Sequence, residues 1–542
     1  MSTSDRPAAR VFVGGRVFTA DPSAPWAEAL ATSGDRVVHV GDEAGARAAA
    51  GETAEVVDLA GGVVMPGFVD GHAHVLMTGS SLLKAQLRTA TDLDEIRSRL
   101  LAWRAANPDA PRVLGISWQF SAVPDGRPTK EMLDDIFPDV PVYLDANDLH
   151  SSWVNSAALR ELGIGDDTPD PIGGEIVRDP ASGEATGHLQ ENAAVNYVWA
   201  LLARAGAPDR RRHLDATVAA YNASGVTTCV DMAFDEAGLA TARAAEAEGA
   251  LTLRIAGHWF IDRDDDPEVE LAQVRRAAEL AAEGGDSLVR VVGIKCIVDG
   301  TIDGCTAALL EPYTTGANCE PIWDSESLTR VVVAADAAGM QVALHAIGDR
   351  AVRIALDAIE HAQSVNPPRE RRHRVEHLEY VDDADIPRLA PLGVTASMQP
   401  VHIDPAIYSN WGAMLGDPRA QRGFAWRAFL EAGTTLAFGT DTPTAPHDPL
   451  ENMYIASTRK SPSSPELPPH RPDNALPLEE AVGHATRESA WASFLEDQVG
   501  MLREGLLADL VVLDSDPFVG PPDAILRSRV RATYFGGREV TR

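Results

Sequence analysis

Five short stretches of this chain carry imidazoles, a lysine and carboxylates in an order able to build a buried hydrolytic metal centre. They are Gly71-His72-Ala73-His74, Gly293-Ile294-Lys295, Leu344-His345-Ala346, Val375-Glu376-His377 and Gly439-Thr440-Asp441. His72 and His74 alternate, so in a strand both side chains leave one face and can grip one ion. Lysine occurs only at positions 84, 130, 295 and 460. Lys295 stands in an apolar run, Val291 to Val298, where a cation is costly. Arginine cannot replace a lysine whose deprotonated amine must react, because its pKa stays above about 12. A rare lysine in such a run therefore points to chemistry; the plain alternative is a buried lysine paired with an acid such as Asp299.

Each stretch ends a run that reads as a buried strand. Val63 to Val69 precedes the histidine pair, and Val291 to Ile294 precedes the lysine. Gln341 to Leu344, His373 to Val375 and Thr434 to Phe438 precede the other three. Strand ends meet at one point only if the strands are parallel neighbours, as at the C-terminal rim of an α/β barrel of the (β/α)8, TIM-like kind. Gly225 to Val230, Leu251 to Ala256 and Gly393 to Ser397 supply the second, third and seventh strands, and the tally closes at eight. Ala-rich segments such as Glu268 to Ala282 and Leu328 to Ala338 have helical spacing.

Both termini read as short β segments too small to bury a core alone, which predicts a small β-sandwich built from residues 1–62 and 490–542 together. The barrel then covers 63–489. Residues 76–220 are too many for one barrel connection and are expected to form an inserted subdomain after strand 1 that caps the pocket. Ser461 to Pro472 reads as an exposed loop.

With 542 residues and 45% hydrophobic composition the chain can bury a large core, and its net charge of -33 disfavours nucleic acid and anionic membranes. No run approaches the roughly 18 apolar residues of a membrane span, and no secretory signal is expected from the first residues. Four cysteines without CxxC spacing fit a reducing cytoplasm. The expected partner is a small-molecule substrate; barrels of this size often form homodimers.

The stretch Pro66-Gly67-Phe68-Val69-Asp70-Gly71-His72-Ala73-His74 resembles the end of the first barrel strand in the amidohydrolase superfamily. Gly293 to Lys295 with Asp299-Gly300-Thr301, His345 to Asp349, Val375 to His377 and Gly439 to Pro443 are similar to its amidohydrolase-3 or YtcJ-like branch. So are Asp145 to His150, Trp153 to Ser156 and the closing Gly505 to Leu513. That branch includes N-substituted formamide deformylases. The resemblance implies one or two divalent ions, usually zinc. His72, His74 and Asp441 would hold the first and His345 and His377 the second, bridged by a CO2-derived carbamate on Lys295. It implies hydrolysis of a non-peptide C–N bond by a metal-held hydroxide, with Asp441 moving the proton. A mononuclear site with unmodified Lys295 remains an alternative. The same site could also cleave an ester, carbamate or lactone, or catalyse a deamination, decarboxylation or isomerisation. A scaffold protein on this fold would be expected to have lost ligands that are present here.

Other residues have two readings. Glu191 could be a ligand or substrate contact, or a carboxylate at a helix start. His150 could bind the substrate carbonyl or be structural. Asp299 and Glu376 could orient ligands or simply pack. Cys296 and Cys305 read as small buried hydrophobes. Asp303-Gly304-Cys305 departs from the Leu-Gly-Ser-Arg-like text of the branch, which puts inherited specificity in question. Trp118, Phe120, Tyr143 and Trp153 could line a pocket or form the insertion's own core.

Overall fold

The computed structural model describes residues 7–147, 151–171, 174–202, 204, 206–408 and 410–541. Its central sheet contains eight strands in sequence order: β1 (Phe68–Ala73), β2 (Val226–Phe234), β3 (Arg254–Phe260), β4 (Val289–Ile297), β5 (Gln341–Ala346), β6 (Arg374–His377), β7 (Thr395–Met398) and β8 (Leu436–Phe438). Every neighbouring pair is parallel. A parallel bridge from Ala73 to Thr442 closes the ring between its first and last members. At that seam Asp441 N donates to His72 O (2.7 Å) and His74 N to Thr442 O (3.1 Å). Gly439 is required there, because a Cβ would fall 2.3 Å from His72 N.

The strands are nearly all buried, as expected when helices cover a parallel sheet. Helices between them begin on aspartate caps: Asp235 before Glu236–Ala247, Asp266 before Pro267–Glu283 and Asp324 before Ser325–Ala337. β3 begins three residues later than the apolar run suggests, at Arg254, with Leu251 and Leu253 buried as a lead-in.

Two further sheets lie in the same compact unit, residues 1–75 with 218–542. One runs in the order Arg36–Gly41, Ala29–Ser33, Arg10–Val13, Glu55–Asp58. The other joins the termini, in the order Arg538–Glu539, Val530–Phe535, Leu510–Leu513, Val63–Pro66, Arg16–Phe18, Trp26–Ala27. Phe12, Leu30, Val64, Leu510, Val512 and Tyr534 share one core cluster.

The run Val63 to Val69 is therefore two strands. Val63–Pro66 pairs antiparallel with Leu510–Leu513, and after Gly67 the chain enters β1. At the other end Ala490, Leu495 and Val499 pack on Val69 of β1, so residues just past 490 lie with the barrel. Hydrophobicity alone hides both edges, because each side is equally buried. Within Ser461 to Pro472 the middle is exposed as expected, but Ser461 and His470 are buried anchors.

Residues 76–217 form the second compact unit. Its sheet runs Gly174–Arg178, Ala185–Glu191, Ser151–Val154, Val142–Ala146, Val113–Trp118, Ala85–Gln86. Trp118, Tyr143 and Trp153 are buried in its core, and their polar atoms bond to Leu144 O, Glu161 and Thr129 O. Phe120 is 36% exposed, so of these four aromatics it alone is left outside the core. Among the described residues no helix is long and apolar enough to cross a membrane.

Candidate metal centre

The rim residues of β1, β6 and the segment after β8 come together. His72 Nε2 lies 3.3 Å and His74 Nε2 3.1 Å from Asp441 Oδ1. Ligand atoms of His72, His377 and Asp441 all fall within 4.8 Å of one another. His377, expected with His345 at a second ion, thus groups with His72 and Asp441, while the His345 ring stands 4.4 Å from the His377 ring. Two of these residues hold left-handed backbone conformations, His377 at φ 77 and Asp441 at φ 57. Such conformations cost of order 1–3 kcal/mol each and persist where the surroundings fix them.

His72 and His377 are set up to offer Nε2. His72 Nδ1 donates to Glu376 Oε2 at 2.7 Å, and His377 Nδ1 donates to Gln399 Oε1 at 2.8 Å. A nitrogen that donates its proton this way leaves the other with a free lone pair. Glu376 is held in turn by Arg374, whose Nε reaches Oε1 at 2.5 Å and whose Nη2 also bonds Gly71 O and Ser397 Oγ, each at 2.6 Å. Both are fully buried. Burial alone would raise the Glu376 carboxyl, but Arg374, His72 and Lys295 hold it well below the usual carboxylate range. Glu376 thus links the His72 ring to Arg374.

Asp70 is a residue the sequence reading left inside a motif without a role. It is buried, and it accepts from Thr440 N (2.9 Å), Thr440 Oγ1 (2.6 Å) and Tyr221 OH (2.9 Å). It therefore ties the histidine strand to the Asp441 segment across the seam. Asp299 has a similar office: it accepts from Ala308, Ile347 and Gly348 N at 2.9–3.0 Å. Its Oδ1 lies 3.7 Å from His345 Nε2, which also sits 3.3 Å from Gly300 O. Burial pushes the Asp299 carboxyl up to about 7.

Lys295 is buried at the end of β4, and that burial lowers its pKa against the pull of Glu376 and Asp441. An ion pair of Lys295 with Asp299 does not form: Asp299 is occupied by backbone amides. Burial, with Lys295 close by, pushes His345 down to about 3. Burial would raise Asp441, but the charges and hydrogen bonds of His72, His74 and His377 hold it well below the usual range.

Past the end of β7, His402 Nδ1 meets Glu379 Oε1 at 3.1 Å while Nε2 faces Asp441 Oδ2 at 3.6 Å. His377, Glu379 and His402 form a second group with ligand atoms within 4.8 Å. Sequence reasoning missed this pair; the available signal was that β7 contributed no imidazole or carboxylate at the rim, although Gln399 and His402 lie one and four residues past its end.

Glu191 is exposed at the end of Ala185–Glu191 in the inserted unit, with φ 49. His150 lies outside the described residues. Cys296 is buried as expected, but Cys305 is exposed, on a turn at φ 53; the expectation of a buried hydrophobe fails there because the loop turns outward. A set of imidazoles with a carboxylate, tautomers fixed, suits zinc or another borderline divalent ion, so the residues present fit the ion the motif implies.

The amidohydrolase family profile matches residues 55–541. The chain is 32% identical over 504 residues to YtcJ of Bacillus subtilis (strain 168), described as an amidohydrolase, covering 90% of each. It is 28% identical over 546 residues to the N-substituted formamide deformylase of Arthrobacter pascens, covering 97% of each. A crystal structure of an uncharacterized metal-dependent hydrolase from Pyrococcus furiosus superposes with TM-score 0.76 at 28% identity, over 94% of this chain and 100% of that one.

Proposed function

This chain belongs to the amidohydrolase family, and on that footing we propose that it hydrolyses a non-peptide carbon–nitrogen bond at a divalent-metal centre, the substrate being an amide, formamide or other N-acyl compound. The observation that carries the reading is the buried cluster of His72, His377 and Asp441, whose ligand atoms lie within 4.8 Å and whose imidazoles are pinned by Glu376 and Gln399. The name of the Arthrobacter relative, a formamide deformylase, supports the N-acyl class.

His72, His74, His345, His377 and Asp441 would hold the metal, zinc by the chemistry of the donor set. Bound there, a divalent ion makes water nucleophilic near neutral pH and polarises the scissile carbonyl. Lys295 completes the set. Its amine, pushed toward the neutral form by burial, adds to carbon dioxide with loss of one proton, and the resulting carbamate presents two anionic oxygens to the centre. Asp441 takes the proton of the attacking water and hands it to the departing nitrogen. The four free cysteines support a reducing, cytoplasmic setting.

The test follows amine release from a panel of N-formyl and N-acyl amines by the zinc-loaded protein, with matched esters alongside. Amine release is expected, and Asp441→Asn should lower kcat about 10²–10⁴-fold while metal is retained. Ester cleavage without amine release, or unchanged turnover by the variant, contradicts the proposal.

A further inference from the structure

Asp441 turns its two carboxylate oxygens to different imidazoles. Oδ1 faces His72 Nε2 at 3.3 Å and His74 Nε2 at 3.1 Å, while Oδ2 faces His402 Nε2 at 3.6 Å. His402 belongs to the turn Pro400–Ile403 after β7. Asn452 ties that turn to the end of β8: its Oδ1 accepts from Val401 N at 2.8 Å, and its Nδ2 donates to Gly439 O at 2.9 Å. His402 is thereby held beside Asp441.

The His402 ring is oriented as His72 is. Its Nδ1 donates to Glu379 Oε1 at 3.1 Å, as His72 Nδ1 donates to Glu376, and Nε2 is left with a lone pair. Thr444 Oγ1 stands 3.4 Å from the same Nε2, and its own proton goes to Asp441 O at 2.6 Å. His402 Nε2 thus meets one oxygen from Asp441 and one from Thr444, and none of the three has a proton to give. A protonated Nε2 would draw a carboxylate in to about 2.7–2.9 Å, well short of the 3.6 Å found. Donors on one tetrahedral ion with bonds of about 2.1 Å stand about 3.4 Å apart, which the separations of 3.4 and 3.6 Å match. Burial acts to lower the His402 pKa, but the carboxylates of Glu379, Asp441 and Asp303 raise it above the ordinary imidazole value, so the surroundings favour positive charge at the ring. The side chains of His402 and Asp441 are 18% and 9% exposed, so a hydrated ion can reach them.

We propose that His402 Nε2, Asp441 Oδ2 and Thr444 Oγ1 form an auxiliary site for a divalent cation of the zinc class, distinct from the ion on the Oδ1 side. A neutral hydroxyl among its donors makes it the weaker of the two, filled when metal is in excess. On the hydrolytic reading above, Asp441 hands a proton to the departing nitrogen; with Oδ2 committed to a second ion it cannot, so excess zinc inhibits. That consequence rests on the hydrolytic reading, whereas binding of the auxiliary ion does not.

The experiment is equilibrium dialysis of the full-length protein against increasing zinc, with bound metal counted by elemental analysis. The parent should take up about one further zinc per chain, more weakly than the zinc it retains on dialysis into metal-free buffer. His402→Ala should lose the weaker class and keep the tight one. Glu379→Gln keeps the ligand but loses the charge that orients it, and should weaken that class about 10–100-fold. Should His402→Ala not fold, Thr444→Val gives the same comparison. A parent that takes up only tightly held zinc, or a weaker class unchanged in the folded variant, overturns the auxiliary site and leaves the hydrolytic reading standing. A parent that binds no zinc at all overturns both.

Discussion

His72 Nδ1 donates to Glu376 Oε2 at 2.7 Å across a sequence separation of 304 residues, joining the first barrel strand to the sixth. The bond decides which nitrogen of His72 is left for a ligand, and Arg374 fixes the carboxylate that makes it.

Glu376→Gln should therefore weaken metal binding without removing a ligand. The amide keeps the shape but loses the charge that makes the imidazole a better donor, so affinity should fall about 10–100-fold. Competition with a chromogenic chelator measures it; unchanged affinity would reduce Glu376 to packing.

Gly439→Ala tests the barrel seam. The added Cβ would lie 2.3 Å from the backbone nitrogen of His72, so the strand carrying His72 must move. A cost of about 1–3 kcal/mol is expected from such overpacking, together with reduced metal content, whereas Gly249→Ala, at an open turn with nothing near its Cβ, should leave metal content unchanged. Equal metal content in both variants would contradict the seam argument.

Asp336 organises the barrel away from the site. Its carboxylate accepts from Arg369 (2.8 Å), Arg371 (2.9 Å) and His373 (3.2 Å) and is buried. Burial acts to raise its pKa, but the bonds to His373, Arg371 and Asn366 prevail and hold it far below the usual carboxylate value. A depressed pKa stabilises the fold above the unfolded value of about 3.9, and that contribution is lost as pH falls through the folded value. Asp336→Asn should cost about 3–5 kcal/mol at pH 7. In denaturant titrations its deficit against the parent should shrink below about pH 4; a deficit constant with pH would contradict the assignment.

The barrel was readable because each strand is buried on both faces and so appears as an apolar run, with its functional residue at the end. His72, His377 and Asp441 were found that way, and the structure brings them together. Other features depended on contacts distant in sequence. Nothing local marks Asp70 as the acceptor for Thr440 and Tyr221, or Arg374 as the group behind Glu376. Gln399 and His402 lie past a strand whose own text carries no ligand. The break at Gly67 was invisible because Val63–Pro66 and Phe68–Ala73 are equally apolar, although they serve different sheets. Cys305 misled because Ile302 and Ala307 on either side of the turn are buried while Cys305 itself is exposed.

The most direct test is elemental analysis of the reconstituted protein beside its Lys295→Ala variant. The account predicts about one or two divalent ions per chain, with a sharp fall when Lys295 is removed. A protein that binds no divalent ion after reconstitution would contradict the metal centre, and with it the hydrolytic function built on His72, His377 and Asp441.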